Sequence, residues 1–360
     1  MTALAARDVA DVQDAVRAGR VLPVAGATKP ALSGFADGVA RLDVSGLCGI
    51  VDYDPGELTL TARAGTQVAD VAAALADHGQ HLPFDPPLAA AGATVGGVVA
   101  SGAAGPGALR HGGVRDFVIG VRCVDGTGRL VAGGGKVVKN AAGFDLPKLM
   151  VGSLGRLGVL VEVSFKVFPA PQATLTVAAD VDPADWRQAV EVLRTAQRTP
   201  VELDALDVAG GQVLLRLAGA AQPLAARAER LIAALPVPAT VLDDDADVWR
   251  AASELTWAAR EQPLIRIPTT VHTVPEVAAA GTRAGAAVRV SLGGNLTWVA
   301  LPDGDALAAF GDELRAIGLR GVALRGAHPR AALLGSDAGG GAFGARVRAA
   351  LDPDDRFLEI

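Results

Sequence analysis

The segment that decides the fold runs from Ala93 to Pro169: ATVGGVVASG (93–102), GGVRDFVIGVRCVDGTGRLV (112–131), GGGKVVKNAAGFDLPKLMVGSLGRLGV (133–159) and VEVSFKVFP (161–169). Short glycine-rich turns repeatedly interrupt apolar strands, and the polar pair Lys139–Asn140 sits inside one of them. A packed core alone rarely asks for so many residues without a β-carbon. Repeated close approach of main chain to a flat, phosphorylated cofactor does. FVIGVRCVDGTGRLVAGG reads as two strands about an Asp-Gly turn. VEVSFKVF alternates, with Val161, Val163, Phe165 and Val167 inward and Glu162, Ser164 and Lys166 outward.

Toward the N-terminus, DVADVQDAVRA (8–18) places Val9, Val12 and Val16 on one helical face, and Gly19 ends that helix. VLPVAGATKP (21–30) is a strand entering a small-residue turn, and LTLTARAG (58–65) alternates as a strand. Thr66 is expected to cap a helix lined by Val68, Val71, Ala72 and Leu75 and stopped by Gly79. PFDPP (83–87) is expected to be extended because of its prolines.

After PAPQ (169–172) the pattern changes. Strand, helix, strand, strand and helix follow in order, and a similar order repeats from LIRIPTT (264–270) onward. This predicts an α+β layer, one sheet with helices on one face, in two related halves. Trp249, Trp257 and Trp298 read as its core. The expected organisation is one domain over 1–170, a second over 171–328, and a linker and helix over 329–360 that docks back on the first.

A chain of 360 residues is too long for one small core and suits about two domains. No apolar run reaches the roughly 18 residues of a membrane span, and no signal peptide is visible in MTALAARDVADVQDAV. Cys48 and Cys123 lack CxxC spacing and read as buried free thiols of a reducing compartment. Two cysteines are too few for an iron–sulfur cluster. The net charge of −6 argues against a nucleic-acid surface. An anionic cofactor must therefore be held by local backbone N–H groups and a few cations.

GSLGRLG (152–158) has GxxGxxG spacing and precedes a strand rather than a helix, so it is no nicotinamide-dinucleotide fingerprint. GGGKVVKN has Val137 where a P-loop needs Ser or Thr for Mg²⁺. PVAGATKP (23–30) fits a phosphate better. It offers a turn of N–H donors around Gly26, the Thr28 hydroxyl and the Lys29 cation.

LDVSGL, FDPP, ATVGGVVASGAAGP, RDFVIGV and GGKVVKNAAGFDLPKLMVGSLGRLGVLVEVSFKVFPAP together resemble the PCMH-type FAD-binding flavoproteins of the vanillyl-alcohol oxidase kind. Within that family, KNAAGFDLPKLMVGS is most similar to the FAD-binding subunits of bacterial glycolate oxidases. The resemblance covers about residues 5–170; VSLGGNLTWVAL and LRGAHPRAALL add a fainter likeness. It implies two small α+β subdomains clasping FAD, followed by a ferredoxin-like α+β cap.

By position, the resemblance puts the diphosphate loop on Ala25, Gly26, Ala27, Thr28 and Lys29. It puts further cofactor contacts on Pro87, Thr94, Gly96, Gly97, Ser101, Gly102, Arg115, Asp116, Gly158 and Val159. Many relatives have glycine where Ala25 and Ala27 stand, and a β-carbon there would limit positive φ and close approach. His111, alone beside glycines, reads as a solvated turn residue, so the FAD is expected to be non-covalent.

Of the five histidines only His78 and His81 have HxxH spacing, and no metal site is expected. DPDDRFLEI replaces the Asn-Pro-Gly pattern that relatives carry after Asp-Pro.

The activity implied is oxidation of a 2-hydroxy acid such as glycolate. That chemistry needs a cation for the carboxylate, a base for the hydroxyl proton and a hydride acceptor. Arg266, His272, Arg289, Arg325 and His328 are available on or beside cap strands, and each also reads as an ordinary surface or interface residue. His328 with Arg325 is the first choice. The implied partners are an iron–sulfur subunit and a larger flavoprotein subunit, in the cytoplasm and peripheral to the inner membrane through those partners. Two alternatives stand beside this: a flavin-carrying scaffold subunit, and a free-standing oxidase.

Overall fold

A computed structural model describes residues 3–28, 39–135, 145–326, 333–336 and 341–358. The chain divides into two compact units, Met1–Ala104 with Gly112–Ala170 and Ala338–Ile360, and Gly105–His111 with Pro171–Asp337.

The first unit contains two main sheets and a two-stranded ribbon in which Gln80–His81 pairs with Phe168–Pro169. In the smaller main sheet, Ala40–Asp43 pairs in parallel with Ala3–Ala5 on one side and Val21–Val24 on the other. The Val9–Ala18 helix buries Val12 and Val16 in the same core, and its Asp8 N-cap accepts the Asp11 N–H. The larger sheet is antiparallel, in the order Ile50–Asp54, Thr59–Arg63, Val159–Lys166, Val118–Val124, Leu130–Gly134. The alternating strand takes its centre, with Val161, Val163 and Phe165 buried. Asp125 closes the adjoining hairpin by accepting the N–H groups of Thr127 and Arg129.

Four local expectations in this unit change. The Thr66 hydroxyl does not cap a helix: it donates to the Arg63 carbonyl at 2.7 Å and accepts the Gly49 N–H, while the Val68–Ala76 helix starts after Gln67. The returning loop holds that hydroxyl before it can reach the helix. Ala72 is exposed, because Val68, Val71 and Leu75 already complete the buried stripe. The 83–87 segment turns, with Asp85 at φ 45°, and this lets Phe84 bury its ring 5.7 Å from Phe117 and 6.1 Å from Phe165. Cys48 is exposed, since it lies in the turn before Ile50–Asp54 rather than in a strand.

Near the C-terminus, none of the residues of the Gly341–Leu351 helix is buried. Asp352 and Phe357 after it do the anchoring. Asp352 accepts the N–H groups of Arg356 and Phe357, and Phe357 is wholly buried beside Val21. This carboxylate thereby closes the turn that follows the helix.

The second unit is a nine-stranded sheet built from two βαββαβ halves. The first half orders its strands Ala239–Val241, Ala173–Asp180, Gln212–Gly219, Ala205–Ala209; the second continues Ala287–Ser291, Leu296–Ala300, Leu264–Pro268, Arg320–Arg325, with Leu333–Gly335 at the edge. Each half has the ferredoxin-like strand order. They join through Ala205–Ala209 and Ala287–Ser291, where Val208 faces Val290.

Helices cover both faces of the first half rather than one. Val177 and Ala179 pack with the Trp186–Arg198 and Leu224–Ala234 helices, whereas Ala178, on the opposite face by strand alternation, packs with Trp249 of Ala246–Glu254. The Trp249 indole donates to Thr176 Oγ1 at 2.8 Å and lies 4.8 Å from the Arg216 guanidinium.

Candidate cofactor site

In the first unit, backbone hydrogen bonds draw the glycine-rich segments together. The Gly152 N–H donates to the Val99 carbonyl at 2.9 Å, Leu154 N–H to Ala100 at 2.8 Å, and Gly96 N–H to Ala64 at 2.8 Å. Between them opens a narrow cleft. Pro23, Val24 and Ala25 line it from the first turn, Gly96, Gly97 and Ala100 from the Val95–Ser101 helix, and Gly155, Gly158 and Leu160 from the later loop and strand; Val44 and Ala64 complete it.

None of these lining side chains is charged. Two hydroxyls are buried with no hydrogen-bond partner among the described residues: Thr28 Oγ1, which adjoins the cleft at Gly97, and Ser153 Oγ, in the loop that also carries Gly155. A buried hydroxyl left unpaired costs roughly 1–3 kcal/mol, which a bound acceptor would relieve. The close approach of backbones is equally specific. A β-carbon on Gly97 would lie 2.8 Å from Thr28 Oγ1, and one on Gly26 would lie 2.7 Å from the Gly92 carbonyl oxygen. An apolar slot with open main chain and unpaired hydroxyls fits a flat, phosphorylated cofactor such as FAD.

Of the residues singled out in the sequence, Ala25, Gly96, Gly97 and Gly158 line the cleft, and Thr28 adjoins it. Ala25 and Ala27 both keep negative φ, so their β-carbons impose no backbone strain. Thr94 is the helix N-cap, accepting the Gly97 N–H, and Ser101 donates to the Val98 carbonyl. Gly102 terminates that helix at φ 60°. Pro87 and Val159 are buried outside the lining. Arg115 and Asp116 are exposed, and Asp116 accepts the Gly113 N–H. Lys29, the Lys139–Asn140 pair and His328 lie outside the described residues.

Sequence reasoning missed Ser153, Gly155, Ala64 and Ala100. GSLGRLG contains the first two, and its spacing alone does not say which of its residues reach the cleft.

The cap candidates disperse. Arg289 is buried and donates through Nε and Nη2 to Asp207 Oδ2 at 3.0 and 2.8 Å, with Ser291 donating to the same oxygen. Arg325 donates to the carbonyls of Ala258 and Gln262, which anchors a loop. His272 is exposed and its Nδ1 accepts from Arg194 at 2.9 Å. Burial pushes the Arg266 guanidinium below its ordinary value. His111 is no solvated turn residue: it belongs to the second unit, 3.6 Å from the buried Asp204 carboxylate, which Arg216 also grips at 2.6 Å. No group of three or more His, Cys, Asp or Glu side chains able to hold a metal forms among the described residues.

Cys123, beside Gly158, has its thiol pushed up to about 12, first by burial and then by Asp125. One thiol, Cys48, is therefore expected to react with a disulfide reagent at pH 8 while Cys123 reacts only on unfolding, as a timed thiol titration will show. Because the folded Cys123 value lies above the ordinary 9.0, its contribution to stability is complete below pH 9 and is lost as the pH rises toward 12.

Residues 2–134 match the family described as FAD binding domain. Over those residues the chain carries an FAD-binding domain. It is 41% identical over 208 residues to glycolate oxidase subunit GlcE of Escherichia coli K12, covering 58% of this chain and 59% of that protein. It is 33% identical over 184 residues to glycolate oxidase subunit GlcD of Bacillus subtilis 168, covering 51% and 39%. D-2-hydroxyglutarate dehydrogenase of Xanthomonas citri pv. viticola is 35% identical over 172 residues, covering 45% and 36%. The chain thus spans between about one-third and three-fifths of the length of these relatives. An alkyldihydroxyacetonephosphate synthase structure shares the fold with a TM-score of 0.71 at 14% identity, over 99% of this chain and 77% of that one.

Proposed function

We propose that the protein is an FAD-dependent oxidoreductase subunit that takes part in oxidising a small 2-hydroxy acid, with glycolate the first substrate to test. The observation that carries the reading is the slot of open glycine backbone adjoined by the buried Thr28 hydroxyl, which has no partner among the described residues. The relatives named as glycolate oxidase subunits support the substrate class. Bound flavin would supply the two-electron acceptor, and the chain's own part would be to hold it, with the backbone of Ala25, Gly96, Gly97, Gly155 and Gly158 and the apolar side chains of Val24, Val44 and Leu160 lining its place.

Oxidation of a hydroxy acid to an oxo acid releases two electrons, which must pass onward. The chain has two cysteines, too few to ligate a cluster. We therefore assign it an iron–sulfur partner subunit and a larger flavoprotein partner, in a cytoplasmic assembly that meets the inner membrane through those partners. The alternative is a flavin-carrying scaffold. It is favoured by the cap arginines Arg289 and Arg325, whose guanidinium groups are engaged by a carboxylate and by carbonyls.

Purified protein is expected to be yellow and to release its chromophore on acid precipitation. Protein that is colourless and cannot be reconstituted sinks the proposal. Turnover of glycolate with an artificial acceptor supports the catalytic reading, and yellow but inert protein supports the scaffold.

A further inference from the structure

The two halves of the second unit are related closely enough that their matching corners can be compared. In each half, the loop after the first strand, the start of the first helix and the tip of the central hairpin meet the other half. The tips match in detail: Gly210 and Gly211 have φ 58° and 80°, and Gly293 and Gly294 have φ 63° and 102°. Left-handed φ at both positions suits glycine and leaves each corner without a side chain.

One corner is filled by the chain itself. Leu109, from the Gly105–His111 segment, reaches Gly293, where a β-carbon would lie 3.3 Å from its Cδ1. Gln197 donates to the Gly293 carbonyl at 2.8 Å, Arg194 closes onto His272, and Val271 packs into the core. Among the described residues, no such plug fills the matching corner. A cleft of about 180 Å³ remains there. Its aliphatic wall includes Val208, Ala189 and Val288, the Trp186 indole forms another side, and Asp182 stands at the exposed rim. Asp182 Oδ1 accepts the Ala184 N–H, while Oδ2 has no protein partner among the described residues.

We infer that this corner is a binding site for a small organic cation with an apolar body. The lining carries one carboxylate and no Lys, Arg or His, so it favours a positive ligand over a neutral or anionic one. An aromatic indole and a carboxylate in one lining attract an ammonium group, and the valines and alanines receive its hydrocarbon part. The cleft lies wholly within the second unit and uses no residue of the cofactor site. The assignment is therefore independent of the proposed oxidation.

The test is calorimetric titration of the full chain with phenethylammonium, with the neutral isostere 2-phenylethanol as comparison. Saturable binding of the cation is expected, with the alcohol at least about tenfold weaker. Asp182→Asn should weaken the cation about tenfold and leave the alcohol unchanged, and Ala286→Leu, which fills the cleft, should abolish both. Circular dichroism and retained FAD content establish that each variant is folded. Equal binding of cation and alcohol, binding indifferent to both substitutions, or no saturable binding overturns the inference.

Discussion

Gly97→Val is expected to purify without flavin. The new β-carbon would lie 2.8 Å from Thr28 Oγ1 and 3.1 Å from Thr94 Oγ1, and the two further methyl groups would enter the cleft that Gly97 lines. Overpacking of this kind costs about 1–3 kcal/mol, so FAD affinity should fall by about tenfold to a hundredfold. Gly97→Ala should give an intermediate loss, because the Thr28 side chain can rotate away. FAD stoichiometry from absorbance, alongside circular dichroism, measures this. Stoichiometric FAD in folded Gly97→Val protein removes this segment from the site.

Arg289→Met is expected to produce the largest loss of stability. Asp207 is fully buried, its Oδ2 receives both Arg289 contacts, and its Oδ1 already lacks a partner. Removing the guanidinium leaves a buried carboxylate with only the Ser291 hydroxyl, a change worth about 3–5 kcal/mol. The second change, Asp207→Asn in the same chain, should restore much of this by removing the charge. Urea unfolding followed by fluorescence reads both. If Arg289→Met unfolds at the wild-type midpoint, the pair is not structural, and Arg289 returns as a candidate for substrate carboxylate.

Much of the fold was legible before the structure. The Val9–Ala18 helix follows from valines at helical spacing between Asp8 and Gly19, and the central strand follows from the alternation through Val161, Val163 and Phe165. These patterns are local and strong. The Thr66 cap failed because a hydroxyl can satisfy a returning loop as readily as a helix, and sequence does not say which loop returns. The helix carrying Trp249 escaped because an alternating strand exposes a second face, and nothing local says what covers it.

The site divides in the same way. Its glycines were visible because a missing β-carbon is itself a sequence feature, and Gly96, Gly97 and Gly158 line the cleft. Ala64, Ala100 and Ser153 were not, because they gain meaning only from the backbone hydrogen bonds that bring three distant segments together. Arg289 shows the converse: a cation on a cap strand reads as available until the adjoining half supplies Asp207.

By itself, then, the sequence determined the order and type of most elements, the glycine-rich frame of the cofactor site and the lack of cysteines for a cluster. These depend on short-range periodicity, on steric freedom at single residues and on composition. Only the tertiary structure decided which hydroxyls stay unpaired, which cations are consumed by buried partners, and which of two matching corners Leu109 fills. Each of those is settled by contacts between residues far apart in the chain, and side-chain chemistry at one position carries no record of them.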